Sequence, residues 1–251
     1  MHKIPAIQSD STFFVPVAMS TCTTKSINQP YPKREILMTP VEPLIESNRT
    51  HDIFADFHKV ECAIRLLLSN DNYLLRKSCS ERSITHKLAQ YLEYHYNGLD
   101  VDCEYNLNIS GSRGKKSIQF LEHRFHELSI PRRGRAIQNE FGDDLIEICV
   151  SPDVIIHKRG TNSKNTAIIE VKKQGGRDEE YQFDREKLAF YTDQKCDFRY
   201  PIGYLINLPH GKELSKAVEV ILYSNGVQIE SISLPNDQVG NTLAAQASES
   251  T

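Results

Sequence analysis

The sequence predicts an α/β protein in which a mixed central sheet is flanked by helices, and three observations lead to this prediction. Two strongly apolar runs, 154–156 and 167–171, are separated by a polar turn rich in Gly, Asn and Ser, which is typical of a β-hairpin. Helical periodicity precedes the hairpin at 80–98, and a helix at 179–194 and an apolar strand at 202–208 follow it. This succession of helices and strands favours helices packed against a sheet.

The segments before the hairpin divide into two helices and a strand. Residues 53–68 carry apolar side chains at helical spacing, so an N-terminal helix is expected there. Ser80 is a good N-cap for the next helix, and Gly98 is a natural stop for it. This second helix places on one stripe Ile84, Leu88, Tyr91 or Leu92, and His95. Residues 101–107 are predicted to be the first strand of the sheet.

The segments after the hairpin complete the domain. The helix at 179–194 has Phe183, Leu188 and Tyr191 as its expected packing residues. Two further apolar segments, 217–223 and 227–234, flank Asn225-Gly226, a dipeptide that favours a type I′ turn and hence a C-terminal β-hairpin. We therefore expect a single domain at 51–235 with its core at about 80–208. A proline-rich arm at 1–50 and a small, polar tail at 236–251 are expected to be loosely ordered.

Composition narrows the class of protein without identifying it. The 251 residues are 39% hydrophobic and 25% charged, as in ordinary globular proteins, and the net charge of −3 is not that of a strongly basic nucleic-acid binder. None of the six cysteines has C-x-x-C spacing, which argues against a zinc ribbon and fits a reducing compartment. The N-terminal apolar run 13–19 is short and contains Pro16. We therefore expect a cytoplasmic protein with no membrane anchor.

The predicted hairpin determines which side chains share a face. If it is symmetric about Thr161 and Asn162, position 153 lies opposite 170 and position 151 opposite 172. Opposed residues, and residues two apart on one strand, point to the same face of a sheet. Asp153, Glu170 and Lys172 would then converge, whereas the apolar residues between them would face a core. A slip of one residue would destroy this arrangement.

Two carboxylates and an ammonium group lie beside the most apolar strands, which indicates a functional site. Ionised groups are costly there unless they pair or bind a metal. Convergent carboxylates suit Mg²⁺, which proteins hold through one or two carboxylates together with waters and substrate phosphate. A structural ion pair between Asp153 and Lys172, with Glu170 solvated, is the alternative interpretation.

At this point the chain resembles the PD-(D/E)XK, or restriction-endonuclease-like, nuclease superfamily. The motif stands here as Ser151-Pro152-Asp153 followed by Glu170-Val171-Lys172, and the resemblance covers about half of the chain. It implies an αβββαβ core and hydrolysis of phosphodiester bonds. It also implies that Asp153, Glu170 and the main-chain carbonyl of Val171 bind Mg²⁺, with Mn²⁺ as a possible substitute. Lys172 would assist the attacking water.

Other polar residues are candidates for supporting roles. The resemblance implies a further acidic residue from the first core helix, and Glu81 is the candidate because it shares the stripe of Ile84 and Leu88. Alternatively, Glu81 only complements the N-terminus of its helix. Glu104 is a weaker candidate on the first strand. Asp184 and Lys187 lie one turn apart on the helix after the motif, where they form either a helical ion pair or a support for the site.

A local excess of basic residues at 113–135 is a candidate surface for contacts with phosphate, although such runs are also common in solvated loops. The candidates for nucleic-acid binding are Arg113, Lys115, Lys116, Arg132, Arg133 and Arg135. The expected partner is DNA, with RNA left open, and a homodimer or a protein partner is also open. No membrane partner is expected.

Three classes of function follow from these patterns. The first is a Mg²⁺-dependent deoxyribonuclease that acts in defence against foreign DNA or in DNA repair. The second is a catalytically inactive module of the same fold that binds nucleic acid or a protein. The third is a structural interaction protein that docks through the helix at 53–68.

Overall fold

Helices and strands follow one another largely as the sequence predicts, with a small second sheet inserted after the first strand. The computed structural model describes residues 46–108, 114–128, 134–139 and 141–236, with only the main chain described for 46–52 and 54. The predicted arm at 1–45 and the tail from 237 lie outside the described residues. All described residues belong to one unit that spans Pro43–Thr251.

The bounds of the described elements are as follows. The helices are α1 (Glu46–Asn70), α2 (Asn72–Arg76), α3 (Glu81–Glu93), α4 (Glu122–Glu127) and α5 (Asp178–Thr192), with a 3₁₀ turn at Gly211–Glu213. The strands are β1 (Asp100–Cys103), β2 (Ser117–Leu121), β3 (Arg135–Gln138), β4 (Asp144–Cys149), β5 (Val154–His157), β6 (Ala167–Lys173), β7 (Ile202–Leu208), β8 (Val218–Ser224) and β9 (Val227–Leu234). No helix in the described part of the chain combines the length and apolarity needed to cross a bilayer.

The main sheet has six strands in the order β1-β5-β6-β7-β8-β9. The pair β6–β7 is parallel and all the other neighbours are antiparallel, so the sheet is mixed. Helices α1 and α3 cover one face and α5 covers the other. The fold is therefore α/β, with a mixed sheet flanked by helices. Along the chain, α3 and β1 are followed by β2, α4, β3 and β4, and then by β5, β6, α5 and β7.

Helix α1 is longer than expected and its apolar stripe is internal. It begins at Glu46, so residues 46–50, which were assigned to the arm, are helical. No proline follows Pro43 in this region, so nothing prevents the helix from extending toward the N-terminus. Val60, Ile64 and Leu67 are fully buried against α3 and the sheet. The apolar stripe of this helix is therefore part of the core and not an exposed docking surface.

Helix α3 begins as predicted and ends early. The Ser80 hydroxyl accepts a hydrogen bond from the Ser83 main-chain nitrogen at 3.2 Å, which satisfies one of the free donors of the first turn. Ile84, Leu88 and Leu92 are fully buried. The helix ends at Glu93 and not at Gly98, whose positive φ of 81° turns the chain toward β1.

A second sheet of three strands, ordered β2-β4-β3, forms from the segment between β1 and β5. Ile118, Ile146 and Ile148 of this sheet share a core with α5 and with one face of the main sheet. No strand was predicted between residue 107 and the motif hairpin, so these three strands are an addition to the predicted fold. Strand β1 is also shorter than predicted, because Glu104 adopts a left-handed conformation with φ of 51° and ends the strand.

The C-terminal hairpin is confirmed. β8 and β9 pair antiparallel around Asn225 and Gly226, which have φ angles of 52° and 80°. A type I′ turn requires positive φ at both central positions, and Asn and Gly tolerate this best.

Candidate active site

Strands β5 and β6 bring the two motif carboxylates together. Val154 pairs with Ile169 and Ile156 pairs with Ala167. Continued by one residue, this register sets Asp153 opposite Glu170, as the sequence analysis predicted. In addition, Asp153 Oδ2 accepts a hydrogen bond from the main-chain nitrogen of Val171 at 2.7 Å.

The two faces of this hairpin divide as predicted. The apolar residues that flank the motif belong to the core under α1 and α3, namely Val154, Ile156, Ile169 and Val171. Glu170 alternates with these residues and is fully buried on the face covered by α5. A carboxylate in such a position needs nearby cations to remain ionised.

Helix α5 supplies two further charged side chains. Asp184 and Lys187 are both buried and lie one turn apart, with Lys187 Nζ 2.7 Å from Asp184 Oδ1. Lys187 Nζ also lies 2.8 Å from Glu170 Oε2, so it connects the helix to β6. The two residues therefore form the helical ion pair, and Lys187 also contacts the strand that carries Glu170.

Lys172 and Glu81 complete the group. Lys172 Nζ lies 2.8 Å from Asp184 Oδ2 and 3.5 Å from Glu81 Oε2, which places Glu81 at the site as predicted. Glu81 Oε1 also accepts a hydrogen bond from the main-chain nitrogen of Lys173 at 3.4 Å. We refer to these six residues as the carboxylate–lysine cluster, which comprises Glu81, Asp153, Glu170, Lys172, Asp184 and Lys187.

Within the cluster, burial and the ion pairs shift the pKa values of the side chains in opposite directions. Burial raises the pKa of Asp153, and the ammonium groups of Lys187 and Lys172 only partly counteract this. Burial raises the pKa of Glu170 further, and the neighbouring carboxylates Asp153 and Asp184 add to the rise. Burial alone would lower the pKa of Lys172, but the charges of Asp184 and Glu81 raise it overall, so this lysine remains an ammonium group. Burial therefore favours the protonated forms of Asp153 and Glu170, whereas the neighbouring lysines favour the ionised forms.

The donors of the cluster fit a hard divalent cation. Glu170 Oε1 is buried and has no hydrogen-bond partner among the described residues, and Oε2 meets Lys187 in an ion pair that lacks hydrogen-bond geometry. Nowhere in the described ranges do three or more His, Cys, Asp or Glu side chains converge as a complete metal site. Mg²⁺ does not need such a set, because water and substrate phosphate supply most of its ligands.

A cavity gives solvent access to Asp153. Its volume is about 630 Å³, and its walls are formed by α3 and the end of β1. The lining residues are Ser80, Glu81, Arg82, Thr85, His86, Cys103, Glu104 and Asp153. Glu104, the weaker candidate, donates its main-chain N–H to the Asp153 carbonyl at 3.1 Å and pairs with Arg82 at 2.8 Å. It therefore lies at the rim of the cavity, outside the cluster.

Of the basic candidates for nucleic-acid binding, the structure describes Lys115, Lys116 and Arg135, and it contradicts the prediction for Lys116. Arg113, Arg132 and Arg133 lie outside the described residues. Lys115 is exposed, and Arg135 pairs with Glu147 at 3.1 Å. Lys116 is only 4% exposed, so its ammonium group is not available to a phosphate.

Lys116 is instead part of a buried structural contact. Its Nζ donates a hydrogen bond to the Leu107 carbonyl at 2.7 Å and lies 4.8 Å from the centre of the Tyr105 ring. Burial lowers the pKa of Lys116 to about 8, because the charge of Asp102 only partly offsets it. Lys116 therefore connects the start of β2 to Tyr105 and Leu107, which follow β1.

This environment predicts a pH dependence of stability. Between about pH 8 and 10.5 the unfolded chain holds more protons on Lys116 than the folded chain, so the free energy of unfolding rises with pH. Across this interval, we expect the free energy of unfolding of wild type to rise relative to that of Lys116→Met by on the order of 1 kcal/mol, after allowance for solvent screening. Urea unfolding of both proteins at pH 7 and pH 10 measures the difference. A difference that is the same at both pH values would contradict this account of Lys116.

Comparison with known proteins finds no match: neither a family model, nor a curated protein, nor a solved structure is similar to this chain.

Proposed function

We propose that this protein is a Mg²⁺-dependent nuclease that hydrolyses phosphodiester bonds in DNA. The observation that carries the proposal is the meeting of Asp153 and Glu170 across the β5–β6 hairpin, with Lys172 nearby and a cavity leading to Asp153. Two buried carboxylates with a raised pKa, a retained ammonium group and an open cavity are features of functional sites more often than of structural ion pairs.

The order of the core elements supports the same proposal. The resemblance to the PD-(D/E)XK superfamily implies a helix, three strands, a helix and a strand. When the segment from β2 to β4 is set aside, α3, β1, β5, β6, α5 and β7 have that order, with Asp153 directly before β5 and Glu170 on β6. Fold alone does not determine function, so the proposal depends on the cluster and not on this likeness.

Five residues of the cluster, together with Val171, have roles in this proposal. Asp153, Glu170 and the Val171 carbonyl would hold Mg²⁺, which when bound lowers the pKa of water and offsets charge on the phosphoryl group. Lys172 presents an ammonium group that orients the attacking water or stabilises the developing charge. Asp184 and Glu81 hold that ammonium group in position through ion pairs of 2.8 and 3.5 Å. Asp153 is oriented by the N–H of Val171.

The substrate would approach through the cavity beside α3. A volume of about 630 Å³ is in the range of nucleotide-sized ligands. Arg82 and His86 are the basic side chains among its lining residues, and they offer contacts to phosphate that replace those predicted for the buried Lys116.

The test is a cleavage assay with purified protein on supercoiled plasmid, linear duplex DNA, single-stranded DNA and single-stranded RNA. We expect DNA to be cut in Mg²⁺ or Mn²⁺ and to remain intact in EDTA, because the carboxylates alone supply no Lewis acid. Cleavage of RNA but not of DNA would show that the substrate is RNA. Binding of nucleic acid without cleavage under any metal condition would contradict the proposal and support a catalytically inactive module.

A further inference from the structure

Lys187 occupies a position in the cluster that differs from that of Lys172. Its ammonium group lies 2.8 Å from Glu170 Oε2 and 2.7 Å from Asp184 Oδ1, and its side chain is only 5% exposed. Lys172 contacts Asp184 and the half-exposed Glu81, which lines the cavity. One lysine is therefore next to the cavity, and the other is enclosed between a strand and a helix.

A positive charge is required where Lys187 lies. Glu170 and Asp184 are both buried, and two carboxylates in a medium of low dielectric repel each other strongly unless a cation lies between them. In many phosphoryl-transfer centres a second metal ion supplies that charge. Here an ammonium group that belongs to the chain is already in contact with one oxygen of each carboxylate.

The charge of the cluster matches a single divalent cation. Carboxylates bind a metal ion in their ionised form, so with a cation bound the four carboxylates and two ammonium groups of the cluster leave two negative charges. One divalent cation balances these charges, whereas two would leave an excess of positive charge in a buried site. Glu170 keeps Oε1 free of any described hydrogen-bond partner, while Oε2 meets Lys187. The carboxylate can thus serve the ammonium group and one metal ion with different oxygens.

We propose that the Lys187 ammonium group takes the place of a second metal ion, so that the centre binds one divalent cation. This inference rests on the proposed metal-dependent function and deepens it. A purely helical role for Lys187 would be satisfied by Asp184 alone. The contact with Glu170, on a different element and at similar distance, extends the role of Lys187 to the strand that carries the motif.

Isothermal titration calorimetry with Mn²⁺ tests the inference without any measurement of activity. Wild type should bind one Mn²⁺ per chain. Lys187→Met should bind two, because its carboxylates lose their internal cation, and Mn²⁺ should raise its Tm more than that of wild type. Lys187→Arg, which keeps a positive charge, should bind one Mn²⁺ per chain, as wild type does. Lys116→Met removes another buried lysine outside the cluster and should also bind one.

The possible outcomes separate the inference from the function on which it rests. Two Mn²⁺ ions bound to wild type would overturn the role of Lys187 and leave a metal-dependent nuclease intact. One Mn²⁺ bound to a folded Lys187→Met variant, with unchanged affinity, would overturn it in the same way. No binding to wild type would overturn both proposals. If Lys187→Met does not fold without metal, the wild-type stoichiometry and the Lys187→Gln variant decide the matter.

Discussion

Replacing Lys172 by Met is expected to slow Mg²⁺-dependent DNA cleavage by about 100-fold or more. The substitution keeps the length of the side chain and removes the ammonium group that lies 2.8 Å from Asp184. Loss of one preorganised charge or donor at a hydrolytic centre costs about 10²–10³ in rate. Single-turnover cleavage of a labelled duplex measures the effect.

Lys173 provides the matched control, since it is the next residue on β6. Its Nζ donates a hydrogen bond to the Cys79 carbonyl at 3.2 Å and contacts no carboxylate of the cluster. Lys173→Met should therefore cleave within a few-fold of wild type. Equal losses in the two variants would mean that Lys172 acts through the stability of the strand and not through chemistry.

Replacing Glu170 by Gln is expected to change activity and stability in opposite directions. Cleavage should fall by about 100-fold or more, because a proposed ligand of Mg²⁺ is lost. In the absence of metal, the free energy of unfolding at pH 8 should rise by about 1 kcal/mol or more, because burial and repulsion from Asp153 and Asp184 disfavour the Glu170 carboxylate more than its pair with Lys187 stabilises it. For a chain of this size, that is about 2–4 °C in Tm.

The pH dependence of Glu170→Gln identifies the cause of its stabilisation. Burial raises the pKa of Glu170 in the folded state. The contribution of Glu170 to the free energy of unfolding is therefore complete at low pH and is lost as pH rises through the folded pKa. Wild type and the variant should therefore have similar stability near pH 5 and should diverge toward pH 8. Thermal melts in EDTA at both pH values measure this. A variant that is less stable than wild type at pH 8 would show that the pair with Lys187 outweighs the burial of charge.

The register of the motif hairpin could be predicted from the sequence because two simple rules act together there. Side chains alternate between faces along a strand, and the polar turn around Thr161 and Asn162 sets which positions oppose each other. With Val154 and Ile169 required in the core, Asp153 and Glu170 had only one face left. Local pattern was sufficient because every partner lies within one hairpin.

For α5, the sequence predicted the spacing of Asp184 and Lys187 but not the contact of Lys187 with β6. Helical spacing placed Asp184 and Lys187 one turn apart, but spacing does not say which strand a helix covers. A stronger signal was present, because both charged residues lie within the apolar stripe of Phe183, Leu188 and Tyr191. Charged groups in a buried stripe need partners on the facing element, and Glu170 on β6 is that partner for Lys187.

The segment between β1 and β5 was misjudged because its basic residues were read as surface. The alternation of Ile118 and Phe120 with polar neighbours, and of Ile146 with Ile148, is the signal for half-buried strands. Lys116 directly precedes β2, and its ammonium group lies 5.9 Å from the centre of the ring of Phe198, which comes from a distant part of the chain. Contacts of this kind are tertiary and do not show in a local charge count.

The most direct measurement of the central claim compares DNA cleavage by wild type and Asp153→Asn in Mg²⁺ and in EDTA. Asp100→Asn serves as control, because Asp100 lies on β1 and pairs with Lys158, not with the cluster. If the carboxylate–lysine cluster is the catalytic centre, wild type and Asp100→Asn should cleave DNA in Mg²⁺ and not in EDTA. Asp153→Asn should cleave DNA at a rate at least about 100-fold lower. Cleavage by Asp153→Asn at the wild-type rate, or wild-type cleavage that persists in EDTA, would contradict it.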